Sequence, residues 1–217
     1  MLGRWFNRKK PEVKEPPLPS PFNLRLKAGV DIDPIPFAMI RDKLHFTLPA
    51  ETQIVEAQGK VDLGGGAYLS RYYTCDDAFI QVNTTGGFDE QHVDDIKLFV
   101  FEETITPATQ AEWEAWTGKE SKIGDETFTF NGVEYSRVWM AQSEGSIVPV
   151  EFEEEVTNLI ENESPYTVVH LAMLYERLIP EIERYEYLLV SAEHTHNDAN
   201  IVLSLGVDLD PQAFVVT

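Results

Sequence analysis

The sequence predicts an α+β fold that is β-rich, mostly antiparallel and barrel-like, with a few short helices. Three observations carry this. Apolar residues alternate with period two, most cleanly where Ile201, Leu203, Leu205, Val207 and Leu209 share one face. Turn residues such as Asn131-Gly132 separate runs rich in aromatic and β-branched side chains. Helical spacing is confined to short stretches.

In chain order, Leu44, Phe46 and Leu48 alternate with His45 and Thr47 and predict a half-buried strand. Residues 67–75 and 78–83 are aromatic and β-branched, and Asp76-Asp77 between them predicts a hairpin. Asp89–Ile96 fits a short helix. Lys97–Phe101, apolar after its first residue, predicts a central strand. Thr106-Pro107, then Trp113, Trp116 and Gly118, has the order of helix cap, first-turn proline and stop. Phe128–Tyr135 is a hairpin about Asn131-Gly132, whose residues supply the positive φ angles of a type I′ turn. Segment 150–160 fits either strand or helix. Val168–Leu178 and Tyr185–Ala192 read as paired strands around Pro180.

Residues 1–21 form a basic, aromatic tail and proline-rich linker; 22–217 form one β-rich globular domain or two intertwined halves. The halves are suggested by near-repeats. Gly29-Val-Asp-Ile-Asp-Pro34 returns as Gly206-Val-Asp-Leu-Asp-Pro211, and Ser70-Arg71 is echoed by Ser136-Arg137. The two readings, pseudo-symmetric halves and coincidence between strand-plus-turn segments, stand side by side.

The formal net charge is −20, and it is unevenly placed. Residues 1–30 hold seven Lys/Arg against two Asp/Glu, leaving 10 against 35 in the rest. A body that acidic repels phosphate backbones, which argues against nucleic-acid binding and suits a protein partner with a basic surface. The single Cys75 precludes an internal disulfide and favours a reducing compartment. No run reaches the roughly 18 apolar residues of a membrane-spanning helix. No apolar signal region follows the basic start. These features predict a cytoplasmic protein.

Five motifs bear on chemistry or binding. His194 and His196, with Asp198 two residues on, have a spacing that suits a divalent metal, and resemble part of the His-x-His-x-Asp-His run of metallo-β-lactamase-like hydrolases. Ala199 stands where that run has its last histidine, so the ligand set is incomplete, and a polar hairpin loop explains the segment equally. Gly64-Gly65-Gly66 lacks the lysine and helix start of a phosphate cradle. Cys75 sits beside Asp76 and Asp77, which disfavour a reactive thiolate. The carboxylates at Asp94-Asp95 and Glu153-Glu154-Glu155 fit solvated faces. Lastly, Leu2, Trp5 and Phe6 beside Arg4, Arg8, Lys9 and Lys10 are the residue types of a weak interfacial anchor for anionic lipid.

The stretch Gly66-Ala-Tyr-Leu-Ser-Arg-Tyr-Tyr-Thr-Cys-Asp-Asp-Ala-Phe-Ile-Gln-Val82, the Tyr135–Trp139 strand and the pair Met173–Arg177 and Glu186–Val190 resemble the YjfK-type bacterial family of unknown function. The resemblance covers most of 22–217 and implies no catalytic residue. Genes of that type lie beside relatives of phage-shock membrane-stress proteins, which implies a place near the inner-membrane surface.

The leading expectation is a non-enzymatic cytoplasmic interaction protein without a cofactor, placed at the inner membrane by its tail. The alternatives are a metal-binding protein or hydrolase using His194, His196 and Asp198, and a small-ligand-binding barrel with Tyr68, Tyr72 and Trp139 lining its pocket.

Overall fold

Two four-stranded meanders close on each other into one antiparallel barrel. The structure, a computed structural model, describes residues 19–118, 121–159 and 164–217. Its strands are β1 (Gly29–Ile32), β2 (Thr52–Gly64), β3 (Ala67–Thr74), β4 (Ala78–Thr85), β5 (Val93–Ile105), β6 (Thr127–Phe130), β7 (Val133–Arg137), β8 (Val150–Asn158), β9 (Tyr166–Ile179), β10 (Arg184–His194), β11 (Ala199–Asp208) and β12 (Phe214–Val216). One α-helix is described, α1 (Gln110–Thr117), together with short 3-10 turns.

The first meander is β2-β3-β4-β5 and the second is β8-β9-β10-β11. Their last strands pair, β5 with β11, and their first strands pair, β2 with β8. The connectivity is therefore two-fold pseudo-symmetric and leaves the barrel proper without an open edge. Closure matters because an unpaired strand edge is a template for aggregation. The near-repeats do not follow this dyad. Arg71 lies within β3 and Arg137 ends β7. The two Asp-x-Asp-Pro segments instead make the same local turn. In each, an aspartate carboxylate accepts from the backbone N–H two residues on, Asp33 from Ile35 (2.9 Å) and Asp210 from Gln212 (2.8 Å), and a 3-10 turn follows.

Side chains alternate across the wall. Inward positions carry Val61, Leu69, Phe79, Phe99, Phe152, Ala172, Leu174, Tyr187 and Leu189. Outward positions such as Ile80, Leu98, Met173, Leu188, Val190, Leu203 and Leu205 form a larger core beneath a wrapping layer. That layer consists of the N-terminal segment with β1, of α1 and the β6–β7 hairpin, and of the C-terminal β12. Among the described residues nothing covers the outer face of β8, and Glu151, Glu153 and Glu155 are exposed there.

Most sequence expectations are met at the level of elements: the β3–β4 hairpin, β5, β9, β10 and β11. In the β6–β7 hairpin Asn131 and Gly132 have φ of 51° and 79°. The helix stops at Gly118 as expected, but its cap is Thr109, whose hydroxyl accepts from Glu112 N at 3.2 Å. Segment 150–160 resolves as strand through Asn158. Two expectations are corrected, and one strand goes unpredicted. Leu44–Leu48 is not a strand: the His45 N–H goes to the Glu186 carboxylate at 2.6 Å, so the segment crosses the wall instead of pairing with it. Asp89–Ile96 makes only the 3-10 turn Glu90–His92 before β5 begins at Val93. β2, the strand that seals the barrel, is not among the elements expected from the sequence, although Val55, Ala57, Val61 and Leu63 alternate there with polar residues.

Candidate functional site

A barrel of eight strands has an interior just wide enough for side chains to fill. Here part of that filling is ionic. Arg71 from β3, Glu154 from β8 and His170 from β9 are buried, at 2%, 0% and 1% exposure. Arg71 Nη1 donates to Glu154 Oε2 at 2.7 Å, and Arg71 Nε donates to Gln81 Oε1 at 3.0 Å. Tyr73 OH donates to Glu154 Oε1 at 2.7 Å. His170 Nε2 lies 2.9 Å from Glu154 Oε2 without making an aligned hydrogen bond, so that contact is Coulombic. On its other side His170 Nδ1 is 3.0 Å from Ser191 Oγ and 3.4 Å from Glu193 Oε1.

The aromatic core supports these charges directly. The Arg71 guanidinium lies between Phe79 and Phe152, 5.6 and 5.5 Å from the ring centroids, and Phe152 stacks on His170 at 4.8 Å. Space comes from Gly59 on β2, where a Cβ would stand 1.6 Å from Glu154 Oε1. Gly206 on β11 plays the same part for Phe99.

Burial alone would favour a neutral Glu154, but Arg71 and then His170 and Tyr73 outweigh it and hold the carboxyl at about 2. Burial opposes charge on Arg71 and His170 as well. Glu154 overcomes it for Arg71, and Glu154 with Glu193 overcomes it for His170, so both groups are shifted upward. Ser191, His170 and Glu154 stand in the order of a hydroxyl–imidazole–carboxylate relay. Ser191 is 2% exposed, however, and faces the packed interior, so its hydroxyl has no open face for a substrate.

At one mouth of the barrel Glu193, with 29% of its side chain exposed, links this cluster to a cleft. The cleft, 810 Å³, is lined by Tyr166, Thr167, Glu193, His196, Asp198 and Asn200, among others. At another position in the barrel Lys97 is held by Asp95 (2.9 Å) and Asp208 (3.1 Å) over the Tyr187 ring.

A second buried carboxylate acts outside the barrel. Glu186, at 0% exposure, accepts from His45 N, from Tyr135 OH at 2.9 Å and from Arg177 Nε at 2.5 Å, pinning the wrapping layer to the wall. The N-terminal chain is tied down at Pro19, whose carbonyl accepts from Gln58 Nε2 (2.5 Å) and Tyr72 OH (2.9 Å).

The residues singled out in the sequence are dispersed. His194 lies edge-on to Trp113 at 5.9 Å in a cleft with Pro107 and Thr109, while His196 and Asp198 line the cleft with Glu193. Among the described residues no three His, Cys, Asp or Glu side chains are grouped to hold a metal ion. Tyr68 packs against Phe88 with tilted rings 4.4 Å apart, Tyr72 is buried against Pro19, and Trp139 packs against both cores. Cys75 is exposed. The tail residues Leu2, Arg4, Trp5, Phe6, Arg8, Lys9 and Lys10 lie outside the described residues. Among the described residues no helix is long and apolar enough to cross a membrane.

The ionic cluster is not among the expectations from the sequence, where Glu153-Glu154-Glu155 fits a solvated face. The structure corrects this: Glu153 and Glu155 are exposed and Glu154 is buried. The signal was its register, because Glu154 shares the face of Phe152 and Val156.

Fold and cluster together define a closed antiparallel β-barrel with an ion-filled interior. The chain belongs to the family described as "Protein of unknown function (DUF2491)", whose profile matches residues 1–215. It is 37% identical over 195 residues to the "Uncharacterized protein YjfK" of Escherichia coli (strain K12), covering 87% of each chain. This bears out the resemblance drawn from the sequence. No solved structure matches it.

Proposed function

We propose that the protein is a non-enzymatic interaction module whose acidic barrel wall engages a basic surface on a partner protein. The supporting observation is the outer face of β8, where Glu151, Glu153 and Glu155 are exposed. Asp62 and Lys60 on the adjoining β2 complete a shallow concavity of 450 Å³ with Glu153, Glu155 and Thr167. Row spacing along a strand is about 6.8 Å between alternate side chains, which suits a line of lysines or arginines. Such a surface chiefly raises association rate and selectivity.

A photo-crosslinking residue at Thr167 in the full-length chain tests this in cells. The expected result is a discrete crosslinked protein that disappears in the Glu151→Lys, Glu153→Lys, Glu155→Lys variant and at high salt. An unchanged crosslink in that variant rejects the wall as the interface.

The leader extends the same reading to the inner-membrane surface. Its cations each contribute about 1 kcal/mol on anionic lipid. Full-length protein should float with anionic vesicles, and replacing Trp5, Phe6, Lys9 and Lys10 by alanine should release it. Equal flotation of the two proteins, or flotation of neither, rejects the lipid contact.

A further inference from the structure

Among the described residues the interior cluster meets a cleft through Glu193, and this link is ionisable at both ends. His170 faces Glu154 from β8, Ser191 and Glu193 from β10, and Arg71 and Tyr73 from β3. Of these, Glu193 alone also lines the 810 Å³ cleft at the barrel mouth. Its backbone pairs with Asn200, one rung before His194 pairs with Ala199 and the chain turns. That turn is held by Thr195 N–H to Asp198 O at 2.9 Å and by the Thr195 hydroxyl, which accepts from Asn197 N and Asp198 N.

We propose that Glu193 and His170 form a proton relay between the cleft and the barrel interior, so that the Thr195–Asp198 turn reports the charge state of a histidine sealed inside the barrel. The proton enters from solvent on Glu193 Oε1 and passes to His170 Nδ1, 3.4 Å away. In the charged state both ring nitrogens carry protons: Nε2 faces Glu154, and Nδ1 faces the Ser191 oxygen and Glu193. When the proton leaves by the same route, the hydrogen stays on Nε2 toward Glu154, and the Ser191 hydroxyl turns to donate to Nδ1. Glu193 then loses its cationic partner and is left as a free carboxylate wall of the cleft.

The direction of pH dependence follows. His170 is shifted upward, so the charged state and the stabilisation it brings are complete below the ordinary imidazole value of about 6.5. They are lost as pH rises through the higher folded value. Glu193 is the coupling element because the other carboxylate, Glu154, is held by Arg71 and Tyr73 whatever the state of His170.

Full-length protein labelled with ¹⁵N at histidine and backbone, followed by NMR from pH 5 to 9, tests the relay. The expected result is a His170 ring titrating above the ordinary imidazole range, with Thr195–Asp198 amides moving at the same midpoint. Glu193→Gln, isosteric and at the barrel mouth, should lower the His170 midpoint and abolish the matched movement of the turn while leaving the remaining amide spectrum in place. A turn that titrates at its own midpoint in Glu193→Gln, or a His170 midpoint unchanged by that substitution, overturns the proposal. So does a His170 ring that stays in one state throughout.

Discussion

Replacing Arg71 by methionine is expected to destabilise the protein by about 3–5 kcal/mol at neutral pH, the range for removing one partner of a buried ion pair. The side chains are similar in length, so Phe79 and Phe152 keep a neighbour and the loss is electrostatic. Glu154, left with Tyr73 and His170 in a dry interior, has no full charge partner of fixed state. The pH dependence separates this from a packing defect. In the native protein Glu154 is held at about 2 against an ordinary 4.5. A depressed carboxylate contributes stability that is complete above its unfolded value and lost as pH falls toward the folded one. At about 1.4 kcal/mol per unit that contribution is on the order of 3 kcal/mol. Without Arg71 burial dominates and favours protonated Glu154. The deficit of Arg71→Met should therefore be widest above about pH 4.5 and narrow below it. Chemical denaturation at pH 7 and pH 3 measures both; equal deficits at the two values would assign the loss to packing.

Gly59→Ala is expected to be as damaging for a steric reason. Its backbone is extended, so alanine brings no conformational strain of its own. The added methyl would stand 1.6 Å from Glu154 Oε1 and 2.6 Å from Cδ. A free glutamate would swing aside, but this one is fixed by Arg71, Tyr73 and His170, so either the cluster breaks or the β2–β8 seam opens. The loss should exceed the roughly 1–3 kcal/mol of ordinary overpacking. It should shrink markedly when Glu154 is itself shortened to alanine, a non-additivity that a double-mutant cycle reads directly. Additive effects would mean that Gly59 and Glu154 do not share the space the structure gives them.

How far the sequence discloses this arrangement depends on what each strand faces. β11 and the β6–β7 hairpin are legible because their burial partners are apolar and their turns need particular residues, as at Asn131-Gly132. β9 and β10 are legible for the same reason on their outer faces. β2 also alternates, with Val55, Ala57, Val61 and Leu63 opposite Glu56, Gln58, Lys60 and Asp62, but its centre is Gly59, which makes room for a charge instead of adding an apolar side chain. That alternation does not reveal its partner, because the seam with β8 joins residues almost a hundred positions apart along the chain. Leu44–Leu48 misleads in the opposite sense. Its alternation is real and buries Phe46, yet the His45 N–H goes to the Glu186 carboxylate and not to a strand. The ionic cluster was legible only through register: Arg71 lies between Leu69 and Tyr73, Glu154 between Phe152 and Val156, and His170 two residues before Ala172. A charge on the apolar face of a strand is the sign to look for.

Closure of the barrel positions everything else, from the buried cluster to the exposed glutamate row, and amide hydrogen exchange at the β2–β8 seam tests it most directly. Gly59–Val61 and Glu154–Val156 should exchange as slowly as the centre of β10, through global unfolding alone. Fast exchange along that seam, with β10 still protected, would describe an open sheet with Glu154 reachable by water, and would contradict the account.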